Sequence, residues 1–135
     1  MKILGIEFAF DFCDADQAEV YEREVKRVVE QVQDKNQYAG KSNADSMRFQ
    51  CRVIDNFFDT VLGRGTADLL FHGKANLREH LEAFGEVSDA AKESNAQLFA
   101  LTNRYAPNRA ERRQEQKRQE RQAGSGKAQH APRVR

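Results

Sequence analysis

The sequence lacks the features expected of a secreted or membrane-spanning protein. No apolar run in its 135 residues reaches the length of about 18 that a membrane-spanning helix needs. Glu7 and Asp11 interrupt the apolar N-terminal segment, so we expect no signal peptide. Cysteine is scarce, and the two present, Cys13 and Cys51, fit a reducing compartment. These absences predict a cytoplasmic protein.

Motifs for metal binding are also missing. The acidic stretch DFCDADQAEVYE lacks the glycine and the alternating oxygen ligands of a calcium loop. Cys13, Cys51, His72 and His80 form no pair with the spacing of zinc ligands. We therefore expect no metal and no cofactor, and we expect the histidines to be ordinary core or surface residues.

No catalytic constellation is visible either. The glycine-rich segment GRGTADLLFHGK fits neither a P-loop nor a dinucleotide fingerprint, because no buried strand precedes it. Cys51 falls on an apolar helix face and is expected to behave as a small hydrophobic residue. Cys13 has no base or pocket indicated near it. The sequence therefore predicts a protein that is not an enzyme.

Charge is distributed unevenly along the chain, although the formal net charge is only +1. Residues 104–135 contain ten of the 22 Lys/Arg residues and three of the 21 Asp/Glu residues. Residues 1–103 therefore contain twelve Lys/Arg and eighteen Asp/Glu residues. The body thus carries −6 and the C-terminal part +7. Such a basic appendage suits nucleic acid, an acidic partner or the acidic body itself.

One segment carries a strand pattern. In ILGIEFAFDF the apolar side chains alternate with small or acidic ones, as in a half-buried strand, at Leu4, Ile6, Phe8, Phe10 and Phe12. Gly5 allows a bulge or a tight turn that folds the segment into a small hairpin. An isolated strand or hairpin is marginal, so it must pack on helices or pair with another chain.

Three segments have the three- and four-residue apolar spacing of amphipathic helices. The first follows a cap at Asp14 or Asp16, the second a cap at Ser42 or Asn43, and the third a cap at Asn76. The predicted buried faces are Ala18, Tyr21, Val25, Val28 and Val32; Met47, Cys51, Ile54, Phe58 and Val61; and Leu77, Leu81, Phe84, Val87, Ala91, Leu98, Leu101 and Tyr105. The carboxylates of the first helix are expected on a solvated face.

Glycine positions add two expectations. After the second helix ends at residues 63–65, TADLLFHGK predicts one short helical turn that closes the core. Gly85 lies inside the third helix and costs it about 1 kcal/mol relative to alanine, so we expect a close packing contact there.

The stretch after Pro107 is basic and polar. Arg109, Arg113, Lys117 and Arg121 line up at four-residue steps and form a basic stripe on a fourth, polar helix. The absence of an apolar a/d series excludes a coiled-coil seam.

The predicted fold is mainly α. An N-terminal strand or small β-hairpin packs on three helices in residues 1–106, a basic polar helix follows in residues 107–123, and residues 124–135 form a disordered tail.

Three stretches, FDFCDADQAEVYE, CRVIDNFFDTVLGRGTADLLFHGKANLREHLEAF and YAPNRAERR, resemble small proteins of tailed phages and prophages of Gram-positive bacteria. The resemblance covers residues 6–113, rests on order and spacing, and points to the tail assembly chaperones. It implies a helical, self-associating protein of the host cytoplasm that coats the tape measure protein while tube subunits polymerise round it, with the tail tube protein as a further candidate partner.

We predict that two groups of residues contact partners. The apolar group is Phe57, Phe58, Leu69, Leu70 and Phe71, and the basic group is Arg109, Arg113, Lys117 and Arg121. The alternative function is a nucleic-acid-binding regulator that acts through the basic group. It is less favoured because no aromatic residue is interleaved for base stacking and three glutamates dilute the positive charge.

Deletion of the chain after Pro107 tests the role of the basic stripe. Because the segment offers almost no apolar surface to bury, the melting temperature should stay nearly unchanged. The deletion should reduce the affinity for an acidic partner, and this reduction should be largest at low salt, where charges are least screened. Thermal melts and binding titrations across salt concentrations check both expectations. Tight RNA or DNA binding that disappears with the deletion would favour the regulator instead.

Overall fold

The structure, a computed structural model, describes residues 1–105 and 117–118. The described part is mainly helical and contains a small two-stranded antiparallel sheet, as predicted. Its elements are β1 (Lys2–Ile3), β2 (Ile6–Glu7), α1 (Ala15–Gln33), a 3-10 turn (Lys35–Gln37), α2 (Asn43–Val61), α3 (Thr66–Phe71) and α4 (Leu77–Tyr105). Among the described residues, no helix is long and apolar enough to cross a membrane.

The chain divides into two compact units, Met1–Ala96 and Gln97–Arg135. The first contains the hairpin, α1 to α3 and most of α4. Within the second, the described residues are the last turns of α4 and residues 117–118. The predicted helix at 107–123 and tail at 124–135 therefore fall largely outside the described residues.

The N-terminal segment forms the hairpin alternative rather than one continuous strand. Lys2 pairs with Glu7 and Ile3 with Ile6, and the two-residue loop takes left-handed backbone angles, with φ of 48° at Leu4 and 82° at Gly5. Such a turn suits glycine and is unfavourable for leucine. The hairpin alternative is therefore confirmed, and residues 4–12 do not form one continuous strand.

The caps of α1 and α2 form where local sequence predicts them. The Asp14 side chain accepts a hydrogen bond from the Gln17 amide at 3.1 Å, and Ser42 Oγ accepts one from the Asp45 amide at 3.1 Å. Each bond satisfies an amide that the first helical turn would otherwise leave unpaired. Asp14 and Ser42, rather than Asp16 and Asn43, are therefore the cap residues.

Short-range signals also fix α3 and the start of α4. Gly65 caps α3 with a φ of 91°, and His72 ends it with a φ of 54°. The Asn76 side chain accepts a hydrogen bond from the Glu79 amide at 3.0 Å, which is the predicted cap of α4. The short helical turn and the long third helix of the prediction are both confirmed.

The core lies where α1 and α2 pack together and α3 closes one end. Phe57 is at its centre, with edge-on ring contacts to Tyr21 of α1 at 6.1 Å, Phe58 at 5.2 Å and Phe84 of α4 at 4.9 Å between centroids. Ile3 brings the hairpin into the same cluster. One aromatic ring therefore contacts side chains of three helices.

The buried face of α4 agrees with the predicted one only in part. Val87 and Ala91 are buried as predicted, and Phe84 packs against the core. His80 and Ala83 are buried as well, whereas the predicted core residues Leu81, Leu98 and Leu101 are 50 %, 44 % and 46 % exposed. Apolar spacing locates a helical face only to within about one residue, and packing against α2 and α3 selects the His80 side.

One carboxylate of α1 is also placed differently from the prediction. Glu24 is buried rather than solvated, and its Oε2 accepts hydrogen bonds or ion pairs from Arg23 Nε at 3.3 Å and Arg27 Nη2 at 3.2 Å. Two guanidinium groups that extend to the surface compensate the buried charge.

Gly85 is not held by a close contact, contrary to expectation. Apart from its two chain neighbours and the adjacent backbone of α4, a Cβ at this helical position would meet no atom within 4 Å. Gly85→Ala should therefore raise the free energy of unfolding by about 0.5–1 kcal/mol, because it restricts the unfolded chain and improves helix propensity. Urea unfolding measures the change.

Gly5→Ala is the matched control for that substitution. It also meets open space, but at a φ of 82° the added Cβ is strained, so it should lower stability by about 1 kcal/mol. A destabilising Gly85→Ala would show that the position is packed more tightly than the structure indicates.

Candidate functional site

The apolar residues predicted to contact partners mostly fill the core. Phe57, Phe58, Leu70 and Phe71 are buried, and Leu69 is 50 % exposed. α3 is a six-residue helix that packs one face on α2, so successive leucines point to opposite environments. In this conformation only Leu69 of the five is accessible to a partner.

The basic residues predicted to contact partners lie mainly outside the described residues. Arg109, Arg113 and Arg121 belong to that part of the chain. Lys117 is in the described pair 117–118 and is exposed.

An exposed apolar surface on the last turns of α4 is the first candidate site. Leu98, Phe99 and Leu101 are 44 %, 68 % and 46 % exposed. We call these three residues the α4 apolar surface. Leu98 and Leu101 extend the three- and four-residue steps of Val87 and Ala91, which are buried in the first unit. An apolar series that continues after its core contacts end is typical of a partner-binding helix.

A second apolar site is an open groove of about 710 Å³ between the start of α2 and the start of α4. Met47, Leu77 and Leu81 supply its large apolar side chains, and Arg78 and Glu82 lie at it as well. Met47 is 39 % exposed although its spacing predicts a core residue. We call this site the apolar groove.

A polar pocket of about 320 Å³ lies next to the groove, between α2, α3 and the turn before α4. Three cations line it: Arg48, Arg52 and Lys74. The carboxylates are Asp55 and Asp68. On α2 the charged residues at 48, 52 and 55 share one face because they are four and three residues apart. We call this site the basic pocket.

Asp55 joins the basic pocket to a fully buried histidine. His80 Nε2 lies 2.8 Å from Asp55 Oδ1, and its Nδ1 lies 2.7 Å from the Asn76 carbonyl oxygen. The His80 ring also stacks on Phe71, with centroids 3.6 Å apart. Asp55 and His80 are 25 residues apart, and no local pattern marks them as partners.

The hydrogen bonds of His80 fix the total charge of the Asp55–His80 pair. A carbonyl oxygen only accepts, so Nδ1 carries a proton that it donates to Asn76. The 2.8 Å contact with Asp55 then requires one further proton, either on Nε2 or on the carboxyl group. In both arrangements the pair is neutral overall.

The thiol and carboxyl groups at the pocket show no activation as nucleophiles. Burial raises the pKa of Asp55, an effect that the hydrogen bond from His80 opposes. Burial, and next the negative charge of Asp55, raise the pKa of Cys51. Both ring nitrogens of His80 are occupied, so this histidine is not free to deprotonate the thiol.

The four residues considered as zinc ligands are spread over the first unit. Cys13 is exposed, with its Sγ 3.5 Å from Ser94 Oγ, and Cys51 is buried on α2. His72 ends α3, and His80 lies on α4 with its side chain buried in the protein core. Within the described part of the chain, no three potential metal-ligating side chains come together.

Residues 4–116 match a family described as a family of unknown function (DUF6673), and the chain belongs to that family. The match includes β2 and all four described α-helices. No curated protein and no solved structure matches the chain. The family description names no activity or ligand, so the surfaces above carry the functional inference.

Two substitutions of Asp55 test the neutral pair. Asp55→Ala leaves buried Nε2 of His80 without a partner and should lower the free energy of unfolding by about 1–3 kcal/mol. Asp55→Asn keeps a donor, because its amide donates to neutral Nε2, and should cost less than about 1 kcal/mol. Urea unfolding of both variants checks the order. Equal losses in the two variants would contradict the described pairing.

Proposed function

We propose that this member of the DUF6673 family is a non-catalytic assembly chaperone of tailed phages. It covers apolar faces of a long helical client, the tape measure protein, while the tail tube protein polymerises round it in the host cytoplasm. The observation that carries this proposal is the α4 apolar surface, where three large apolar side chains are exposed within about one turn of the helix.

The α4 apolar surface suits coating rather than catalysis. Leu98 and Leu101 are three residues apart and lie on one side of the helix, whereas Phe99 projects from a different side. A helix that presents such a side can pack against an apolar stripe of another helix, which delays aggregation of that stripe. The resemblance to tail assembly chaperones supplies the client, since those proteins act on the tape measure protein.

Self-association belongs to the same proposal. The hairpin pairs within the chain, so an unpaired strand gives no reason for it. The α4 apolar surface gives a different reason, because copies without client can cover one another's exposed leucines. Client and self-contacts then compete, and light scattering should show oligomers that become smaller or rearrange when client is added.

The double variant Leu98→Asp/Leu101→Asp tests the proposal. Burying two leucines stabilises a complex by about 3 kcal/mol, so losing both should weaken client binding about a hundredfold. Since both side chains are exposed, the melting temperature should change little. The measurement is binding to purified tape measure protein, together with light scattering of that client as it is diluted from denaturant.

Asn103→Asp is the matched control. It adds a charge at an exposed position on the side of the helix away from Leu98 and Leu101, one turn after Phe99, and should leave client binding through the two leucines intact. Full protection of the client by the double variant would show that the α4 apolar surface is not the coating surface. RNA or DNA binding that outcompetes the client would support the regulator instead.

A further inference from the structure

The apolar groove and the basic pocket form adjoining parts of one surface in the first unit. Ala75 lines both, and Met47 of the groove precedes Arg48 of the pocket on α2. An apolar site and a cationic site therefore lie side by side. Their combination restricts the chemistry of what binds there more than either does alone.

We infer that this surface recognises one amphipathic helix of the partner, with its apolar side chains in the groove and an adjacent Asp or Glu in the basic pocket. The inference rests on the proposed function, because it describes how one part of the client is selected. It assigns a preference for an acidic residue beside an apolar stripe.

The charges at the pocket favour an anion. Arg48 already pairs with Asp45 at 2.9 Å, whereas Arg52 and Lys74 form no ion pair among the described residues. Asp55 is occupied by His80, and that pair is neutral overall. Asp68 is then the remaining carboxylate of the pocket lining whose negative charge offsets the positive charges of Arg52 and Lys74. A carboxylate from a partner would therefore meet more positive than negative charge.

The neighbouring groove favours a protein carboxylate over a nucleic-acid phosphate. Binding is favoured when a partner's apolar side chains cover Met47, Leu77 and Leu81, because apolar surface is then removed from water. A phosphate backbone supplies no such side chains. The surrounding body carries −6 over residues 1–103 and repels a polyanion. A helix with an apolar face and one adjacent carboxylate fits both sites, because its apolar side chains occupy the groove and its carboxylate occupies the basic pocket.

The shape of the groove suits a helix. Leu77 and Leu81 are one helical turn apart and form a ridge on α4, while Met47 faces them from α2. Helix-in-groove recognition uses anchors at three- and four-residue spacing, and methionine adapts to different anchors. The two helix starts therefore provide two walls for a third helix.

Two labelled model peptides test the inference on the full-length chain. Both carry the same leucine stripe on a helix of about 18 residues. One has two glutamates beside the stripe and the other has two lysines at those positions. By fluorescence anisotropy the acidic peptide should bind about tenfold tighter at low salt, and the difference should shrink as salt screens the charges. Equal affinities, or no binding of either peptide, would overturn the inference.

Charge reversal locates the preference. Arg52→Glu/Lys74→Glu should invert the order of the two peptide affinities. Lys26→Glu/Lys92→Glu, which reverses two charges at exposed lysines outside the pocket, should leave that order unchanged. Leu81→Ala should weaken both peptides, and the Met47 methyl NMR signal should shift on binding. An unchanged order in the pocket variant would overturn the role of the pocket.

Competition separates the remaining outcomes. Displacement of the acidic peptide by an equal concentration of single-stranded RNA would overturn the choice of a protein carboxylate. If the Arg52→Glu/Lys74→Glu variant binds tape measure protein as the unchanged chain does, and Leu98→Asp/Leu101→Asp does not, this inference fails and the proposed function stands. Loss of client binding in both variants supports the two together.

Discussion

The packing of Phe57 is the contact on which the rest of the first unit depends. Its ring contacts Tyr21, Phe58 and Phe84, so α1 and α4 are both positioned against α2 through one buried side chain. Core aromatics contribute large buried areas with defined edge-on geometry. Fixing α2 in this way also fixes its outer face, where Met47, Arg48 and Arg52 line the groove and the pocket.

The Asp55–His80 pair adds a polar constraint to this apolar core. His80 is fully buried, and its hydrogen bonds to Asn76 and Asp55 leave neither ring nitrogen unpaired. A buried polar group in this position specifies one alignment of α2 against α4, since a shift would leave it unsatisfied. The same pairing neutralises Asp55 at the pocket wall. Core specificity and the positive character of the basic pocket therefore have one origin.

Local signals predicted the elements well because their causes are local. Caps at Asp14, Ser42 and Asn76 depend on side chains within three residues, and Gly5 permits a hairpin loop regardless of the remainder of the chain. The choice of the buried face of α4 and the Asp55–His80 contact depend on residues distant in sequence. For that reason the groove and the pocket could not be predicted from spacing alone.

The same apolar pattern serves folding in one place and leaves adhesive surface in another. Val87 and Ala91 are covered within the first unit, whereas Leu98 and Leu101, at matching steps along α4, are exposed. Spacing alone does not distinguish them, because both satisfy the requirement for an amphipathic helix. The distinction lies in the exposure of the side chains, which tertiary packing decides. Exposed leucines add little to folding, and a partner helix is what would bury them.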